Sequence, residues 1–344
     1  MKVQFMRAIV CREFTDYHNL KVEDFPMPEA GDDWVQIDTH AAGLSFATSL
    51  VIAGKYQRKP PRPFVPGTEA AGLVTAIGSN VKNVSVGDRV CAALDWGGLA
   101  GQCRGHHTTV YPIPESMSFE EATSFTATYP TSYGALVWRA NLQPGETLLV
   151  QGAAGAVGLA AVQIGKALGA TVIACASNQE RVDFAMTEGG ADHGIVVNGS
   201  TSFFDTVRTL TDGEGADVIY DPIGGAVTTE SLRCIARAGR LLTIGYAAGS
   251  IPQIPANILL LKNASVMGFN MGDYVGWGKT DQRAKFADDV QQTHVALNKM
   301  YEEGTVKPSV SHQWALDNFI TGMDNLLNRN VLGKSVVVMT DADR

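Results

Sequence analysis

The sequence predicts an α/β protein of two domains, one a doubly wound parallel sheet and the other rich in β-strands. Three observations carry that prediction. Residues 1 to about 128 fall into short β-branched runs punctuated by Gly and Pro, as in "VPGTEAAGLVTAIGSN" and "VGDRVCAAL". From Tyr129 to about 270, strand and helix patterns alternate, and the strand runs lack polar alternation, as expected of strands covered on both faces. The chain has 344 residues, 45% of them hydrophobic, enough to bury two cores.

The elements follow in order. "GETLLVQG" reads as a strand that enters a small-residue turn and leaves it as the helix "AVGLAAVQIGKALG". "ATVIACAS" is the next strand, "QERVDFAMTEGG" a helix, "GADVIYDPIGG" a strand, "TTESLRCIARAG" a helix and "RLLTIGYA" a strand. "NASVMGFN", residues 263 to 270, reads as the last strand of the sheet. After residue 280, Phe286, Val290, Leu297 and Tyr301 share one helical face, and Gly304 is a fitting stop. A second helix is expected at about 317–329, then the strand "KSVVVM". This tail has no αβ alternation and is expected to pack on the first region.

Composition narrows the function. A net charge of −8 with no basic block disfavours nucleic acid and anionic membranes; the one basic cluster, "QRKPPRP" at 57–63, is short and Pro-rich. No apolar run approaches the ~20 residues of a membrane-spanning helix, and the N-terminal residues show no export signal. Five scattered cysteines, an odd number, point to free thiols in a reducing cytoplasm.

The most informative stretch is "LLVQGAAGAVGLAAVQIGKALGA". Its turn reads Ala153-x-Gly155-x-x-Gly158, a dinucleotide fingerprint with alanine in the first place. Gly155 lets the backbone approach a pyrophosphate, Gly158 lets the helix lie close to the strand, and Ala156 and Val157 open the helix whose N–H groups meet the phosphates. The following strand ends on Ser177 where an acid would hold an unphosphorylated adenosine ribose and repel a 2′-phosphate. Ser177 and Asn178 can donate to that phosphate and Arg181 can neutralise it, so NADPH is expected over NADH.

Taken together, these residues resemble the medium-chain dehydrogenase/reductase superfamily, and best its zinc-free quinone oxidoreductase branch, which includes the ζ-crystallin-like NADPH:quinone reductases. The resemblance runs the length of the chain through "AGKYQRKPPRPFVPGTEAAG", "VGDRV", "SFEEA", "DVIYDPIGG", "GRLLTIGYAAG" and "IPANILLLKNASVMG". It implies a Rossmann dinucleotide-binding domain over 129–271 and a GroES-like catalytic domain from 1–128 and 272–344. It also implies no zinc site. Thr68 stands where zinc-dependent relatives carry a ligating histidine, "AAGLSFATS" lacks their cysteine, and Cys91 and Cys103 stand alone where a structural lobe would need four. The nearest approach to a ligand pair is Cys103-x-x-His106, and on a strand His106 and His107 would point to opposite faces.

Without a Lewis acid, alcohol oxidation is hard, whereas a quinone or α,β-unsaturated carbonyl accepts hydride readily. The resemblance places Tyr56 in the substrate cleft, Ser45 where many relatives show asparagine and Thr48 where many show aspartate. It places Thr128 and Tyr129 near the nicotinamide ribose and carboxamide. Gly245, Tyr246 and Ala247, Phe269 and Asn270, and Gly333 and Lys334 in the loop before the final strand also fall to the cofactor. Val197 replaces a tyrosine that packs near the 2′-phosphate in relatives. The expected function is a zinc-independent, NADPH-dependent reductase of quinones. The alternatives are an enone or enoyl-thioester C=C reductase, for which Arg58, Lys59 and Arg62 are the one hint of a coenzyme A site, and a catalytically idle NADPH-binding paralogue. A homodimer paired through the strand at 263–270 is expected, because that edge is too apolar to leave bare.

Overall fold

The computed structural model describes residues 4–29, 31–199 and 202–344. The chain forms two compact units. One runs to Ala127 and takes in Met271–Glu302 and Pro308–Arg344; the other is Thr128–Asn270 with Glu303–Lys307.

The first unit begins with an antiparallel pair, β1 (Phe5–Val10) and β2 (Lys21–Pro26). It continues through β3 (Trp34–Gly43), α1 (Phe46–Ile52), β4 (Glu69–Ile77), β5 (Arg89–Ala93), β6 (Gln102–His106), β7 (Val110–Pro112) and α2 (Phe119–Thr126). Along β3, Val35, Ile37, Thr39 and Ala41 alternate inward, the period-two pattern of a strand with one face in the core. The start of α2 is fixed by a capping box: Ser118 Oγ accepts from the Glu121 N–H and Glu121 Oε2 accepts from the Ser118 N–H, at 3.2 and 3.0 Å.

In the second unit, α3 (Thr128–Tyr133) leads to β8 (Thr147–Gln151), α4 (Ala156–Ala167), β9 (Thr171–Ala176), α5 (Gln179–Thr187) and β10 (His193–Val196). Then come α6 (Phe204–Leu210), β11 (Ala216–Asp221), α7 (Gly225–Arg233), β12 (Ile235–Thr243), α8 (Ala256–Lys262) and β13 (Ser265–Gly268). The six strands pair in parallel in the order β10-β9-β8-β11-β12-β13. Leu149, Ile173, Ile219 and Leu241 are all sealed from solvent, which explains why these strands read as continuous apolar runs.

The rest of the chain adds α9 (Met271–Tyr274), α10 (Arg283–Glu302), β14 (Val310–Ala315), α11 (Phe319–Leu327) and β15 (Lys334–Val338) to the first unit. Its larger sheet runs β14-β15-β3-β4-β5-β7, with β6 also on β3. On α10, Val290 and Leu297 are buried, and Gly304 follows with φ +73°. Among the described residues no helix is long and apolar enough to cross a membrane.

Candidate functional site

The turn between β8 and α4 leaves the start of the helix uncapped. Gly155 is the N-cap of α4 in extended conformation, so no side chain caps the helix, and its first turn holds no acid. The leading N–H groups and the positive end of the dipole therefore meet no side-chain cap and no acid of the first turn. The two glycines have different duties. A Cβ at Gly158 would collide with the carbonyl oxygen of Gly152, whereas one at Gly155 would meet that oxygen at an ordinary 3.4 Å. Gly158 is required by packing, whereas packing leaves room for a side chain at Gly155. Ala153 is buried beneath the turn, and Ala156 and Val157 are partly exposed at the helix start.

At the end of β9, Ser177 and Asn178 are exposed and Arg181 is half-buried one turn into α5. Asn178 Oδ1 caps that helix by accepting from the Arg181 N–H at 3.0 Å, which leaves its amide N–H₂ as the group to meet a ligand. No acid stands at Ser177 or Asn178. The fit to a phosphorylated ribose is therefore a matter of donor chemistry: hydroxyl, amide and guanidinium.

Two further loops leave the same, C-terminal edge of the parallel sheet. After β11, the buried carboxylate of Asp221 accepts from the N–H groups of Ile223 and Gly224 at 2.8 and 3.0 Å and from the Thr228 hydroxyl, fixing the turn into α7. After β12, Gly245, Tyr246 and Ala247 form an exposed turn tied back by the Ala247 N–H to the Pro222 carbonyl at 3.1 Å. Other expected cofactor residues face inward. Tyr129 is 2% exposed and its hydroxyl donates to Gln163 Oε1 of α4 at 2.7 Å. Thr128 is also buried. Phe269 packs edge-on against Trp138, 6.1 Å between centroids, and against Gly134, while Asn270 is exposed. Val197 packs against the sheet core and its N–H donates to the Ala176 carbonyl.

In the first unit a small cleft of about 30 Å³, open to solvent, is lined by Tyr56, Arg58, Thr68, Asp95, Trp96 and Trp277, with Ala47 and Val51 from α1. Tyr56 is half-buried there, and burial raises its phenol above the usual tyrosine range, so it is a neutral donor at pH 7. Ser45 and Thr48 do not join it. Their hydroxyls pair with each other at 3.2 Å, and α1 presents Ala47 and Val51 to the cleft instead.

Lys334 departs from the expected loop position. It is the first residue of β15, buried, and its ammonium is paired with the buried carboxylate of Glu69. Gly333 before it has φ +63°, and a Cβ there would collide with the Ser309 carbonyl, so it shapes the entry to β15. The basic cluster also divides. Lys59 and Arg62 lie over the Phe14 ring, 6.0 and 5.0 Å from its centroid, while Arg58 turns to Asp95 and Trp96.

His106 and His107 do not oppose each other. The strand ends at His106, a 3₁₀ turn begins at His107, and their ring centroids lie 4.7 Å apart. Cys103 is 1% exposed, and burial pushes its thiol up to about 12, which disfavours a thiolate ligand. Among the described residues no three His, Cys, Asp or Glu side chains group so as to hold a metal ion.

The chain is similar to known proteins along its length. Residues 31–134 match the family described as alcohol dehydrogenase GroES-like domain, and residues 156–289 match that described as zinc-binding dehydrogenase. The chain is 39% identical over 338 residues to the quinone oxidoreductase-like protein 2 homolog of Nematostella vectensis, covering 96% of this chain and 88% of that protein. It is 28% identical over 339 residues to human quinone oxidoreductase, covering 98% of each. The crystal structure of Escherichia coli quinone oxidoreductase complexed with NADPH superposes with a TM-score of 0.85 at 25% identity, over 96% of this chain and 99% of that one. The chain therefore belongs to the quinone oxidoreductase branch of the medium-chain dehydrogenase/reductase superfamily.

Proposed function

We propose that this protein is an NADPH-dependent, zinc-independent reductase that delivers hydride to quinones, with 129–271 holding the dinucleotide and 1–128 with 272–344 holding the acceptor. The observation that carries the proposal is the uncapped, acid-free start of α4 at Gly155, followed by a β9 that ends on Ser177 and Asn178 with Arg181 behind them. The Escherichia coli relative is described in complex with NADPH, which supports the same cofactor here.

NADPH, when bound, supplies two electrons and one hydrogen as hydride. Every other task falls to this chain. The α4 N-terminus at Gly155, Ala156 and Val157 would hold the pyrophosphate, and Ser177, Asn178 and Arg181 the 2′-phosphate. The loops at Gly245–Ala247 and Asn270 would flank the dinucleotide, with Thr128, Tyr129 and Phe269 as the packed wall behind it. A quinone that gains a hydride becomes a hydroquinone monoanion, and one proton, from Tyr56 or water, completes the product. Such an acceptor needs no Lewis acid.

The test is a panel of 1,4-benzoquinone, 2-cyclohexen-1-one and an enoyl thioester, each assayed with NADPH and NADH. Fastest turnover of the quinone with NADPH supports the proposal. Faster saturation of the C=C substrates would reassign the acceptor, and tight NADPH binding with no oxidation of it would mark an idle paralogue.

The same reading includes a homodimer. β13 ends the six-stranded order, and α8 beside it exposes Leu260 and Leu261, 78% and 75% accessible. Symmetric pairing through β13 would cover that edge. A monomer mass by light scattering at micromolar concentration would overturn it.

A further inference from the structure

The cleft of the first unit holds donors it does not pair. Arg58 is 28% exposed, and its one hydrogen bond among the described residues runs from Nη1 to Asp95 Oδ1 at 2.7 Å. That oxygen is shared. Arg283, 6% exposed, reaches it with Nη2 at 2.6 Å and holds Asp281 with Nε at 2.9 Å. Asp95 and Asp281 together match the charges of Arg58 and Arg283, but Arg58 keeps Nε and Nη2 without a hydrogen bond among the described residues. Its position is nonetheless fixed, because the guanidinium stacks 5.1 Å over the Trp96 ring. On the same cleft, the buried indole Nε1 of Trp277 has no partner among the described residues. Buried donors normally find acceptors, so an unpaired indole N–H on the same cleft as a guanidinium with spare N–H groups describes the complement of an electron-rich oxygen.

We propose that Arg58 grips the substrate's carbonyl oxygen and holds its negative charge as hydride arrives, with the Trp277 N–H as second donor. The inference rests on the reading of the protein as a hydride-donating reductase and names the acceptor class: neutral carbonyl compounds whose oxygen becomes anionic. In an enone, hydride forms a C–H bond at the β-carbon, the C=C π pair moves, and the enolate oxygen faces Arg58; a proton from Tyr56 or water at the α-carbon completes the saturated ketone. In a quinone, one oxygen takes the hydride, the ring aromatises, and the other oxygen, now phenolate, takes the same place before a proton arrives. Lys59 and Arg62 are not part of this device, being committed to Phe14.

The test uses the full-length protein, its Arg58→Met and Arg58→Gln variants, and Arg58→Lys as the conservative rescue. Turnover of 1,4-benzoquinone and 2-cyclohexen-1-one with NADPH is measured beside absorbance titration of 4-nitrophenol, a stable phenolate probe. The expected result is a fall in kcat of about a hundredfold in Arg58→Met and Arg58→Gln, with KM nearly constant and partial recovery in Arg58→Lys. NADPH affinity should stay at the wild-type value. The wild type should bind the phenolate at least tenfold tighter than Arg58→Met and ionise the bound probe at lower pH. Turnover within twofold of wild type in Arg58→Met, or equal phenolate binding, overturns the proposal. If the wild type reduces neither acceptor, the reductase reading fails, and the phenolate titration still decides whether Arg58 is an oxyanion site.

Discussion

The ammonium of Lys334 and the carboxylate of Glu69 form an ion pair closed to water, with side chains 4% and 7% exposed. It joins the first residue of β15 to the first of β4. Gly43 lies against both groups, since a Cβ there would collide with the Glu69 carboxylate and come within 3.0 Å of the Lys334 ammonium. Removing one partner strands a buried charge. Lys334→Met or Glu69→Gln should each destabilise the protein by about 3–5 kcal/mol, and the double variant by much less than the sum. Chemical denaturation of the three variants measures this. Strict additivity would show that the pair is not coupled.

The two glycines of the nucleotide turn should separate by phenotype. Gly158→Val should cost about 1–3 kcal/mol of stability, because its side chain enters the space of the Gly152 carbonyl. Gly155→Ala has room and an extended backbone at φ −83°, so its melting temperature should stay close to the wild type while NADPH binding weakens. Thermal melts and a fluorescence titration with NADPH read the two effects separately.

Arg181→Ala should raise the KM for NADPH by roughly ten- to a hundredfold, the weight of one charge-assisted hydrogen bond of about 1.5–3 kcal/mol, and leave NADH untouched. Parallel initial-rate measurements with the two cofactors check it. Equal losses with both would remove Arg181 from the 2′-phosphate.

His294 lies flat on Tyr111, ring centroids 3.5 Å apart, and burial depresses its imidazole from the model-peptide 6.5 to about 3. Between those values the unfolded chain binds a proton that the folded protein does not, so stability rises with pH and falls as acid is added below 6.5. The loss from this group is about 1.4 kcal/mol per pH unit until the folded pKa is reached. His294→Phe should therefore flatten the stability profile between pH 6.5 and pH 4 relative to wild type. Denaturant midpoints along that range provide the measurement, and parallel profiles would refute the assignment.

The parallel-sheet unit was legible in the sequence because its information is local: strand, turn and helix at Thr147–Ala167 lie within one short stretch, and the spacing of Gly155 and Gly158 encodes the turn. Of the cleft in the first unit, the sequence marked Tyr56 as a lining residue. Arg58 reads as a member of a surface basic cluster until Asp95 and Trp96 come beside it, and Arg283 meets Asp95 across 188 positions. No local pattern announces Trp277. Lys334 misled for the same reason, since its partner Glu69 is 265 residues away. The opposite faces expected of His106 and His107 on a strand do not arise, because the strand gives way to a 3₁₀ turn between them and their rings lie together.

The order of pairing in the larger sheet of the first unit sets a schedule for synthesis. Strand β3 is made early, yet the neighbour on one side of it, β15, is among the last segments to leave the ribosome. The nucleotide-binding unit, nearly contiguous in sequence, can close while that flank of β3 still waits, with Gly43, Ala42 and Ala41 lacking the backbone partners that Val336–Val338 bring. An unpaired apolar strand is an invitation to the wrong partner. A nascent chain halted before residue 334 should therefore be aggregation-prone although its dinucleotide half is already complete.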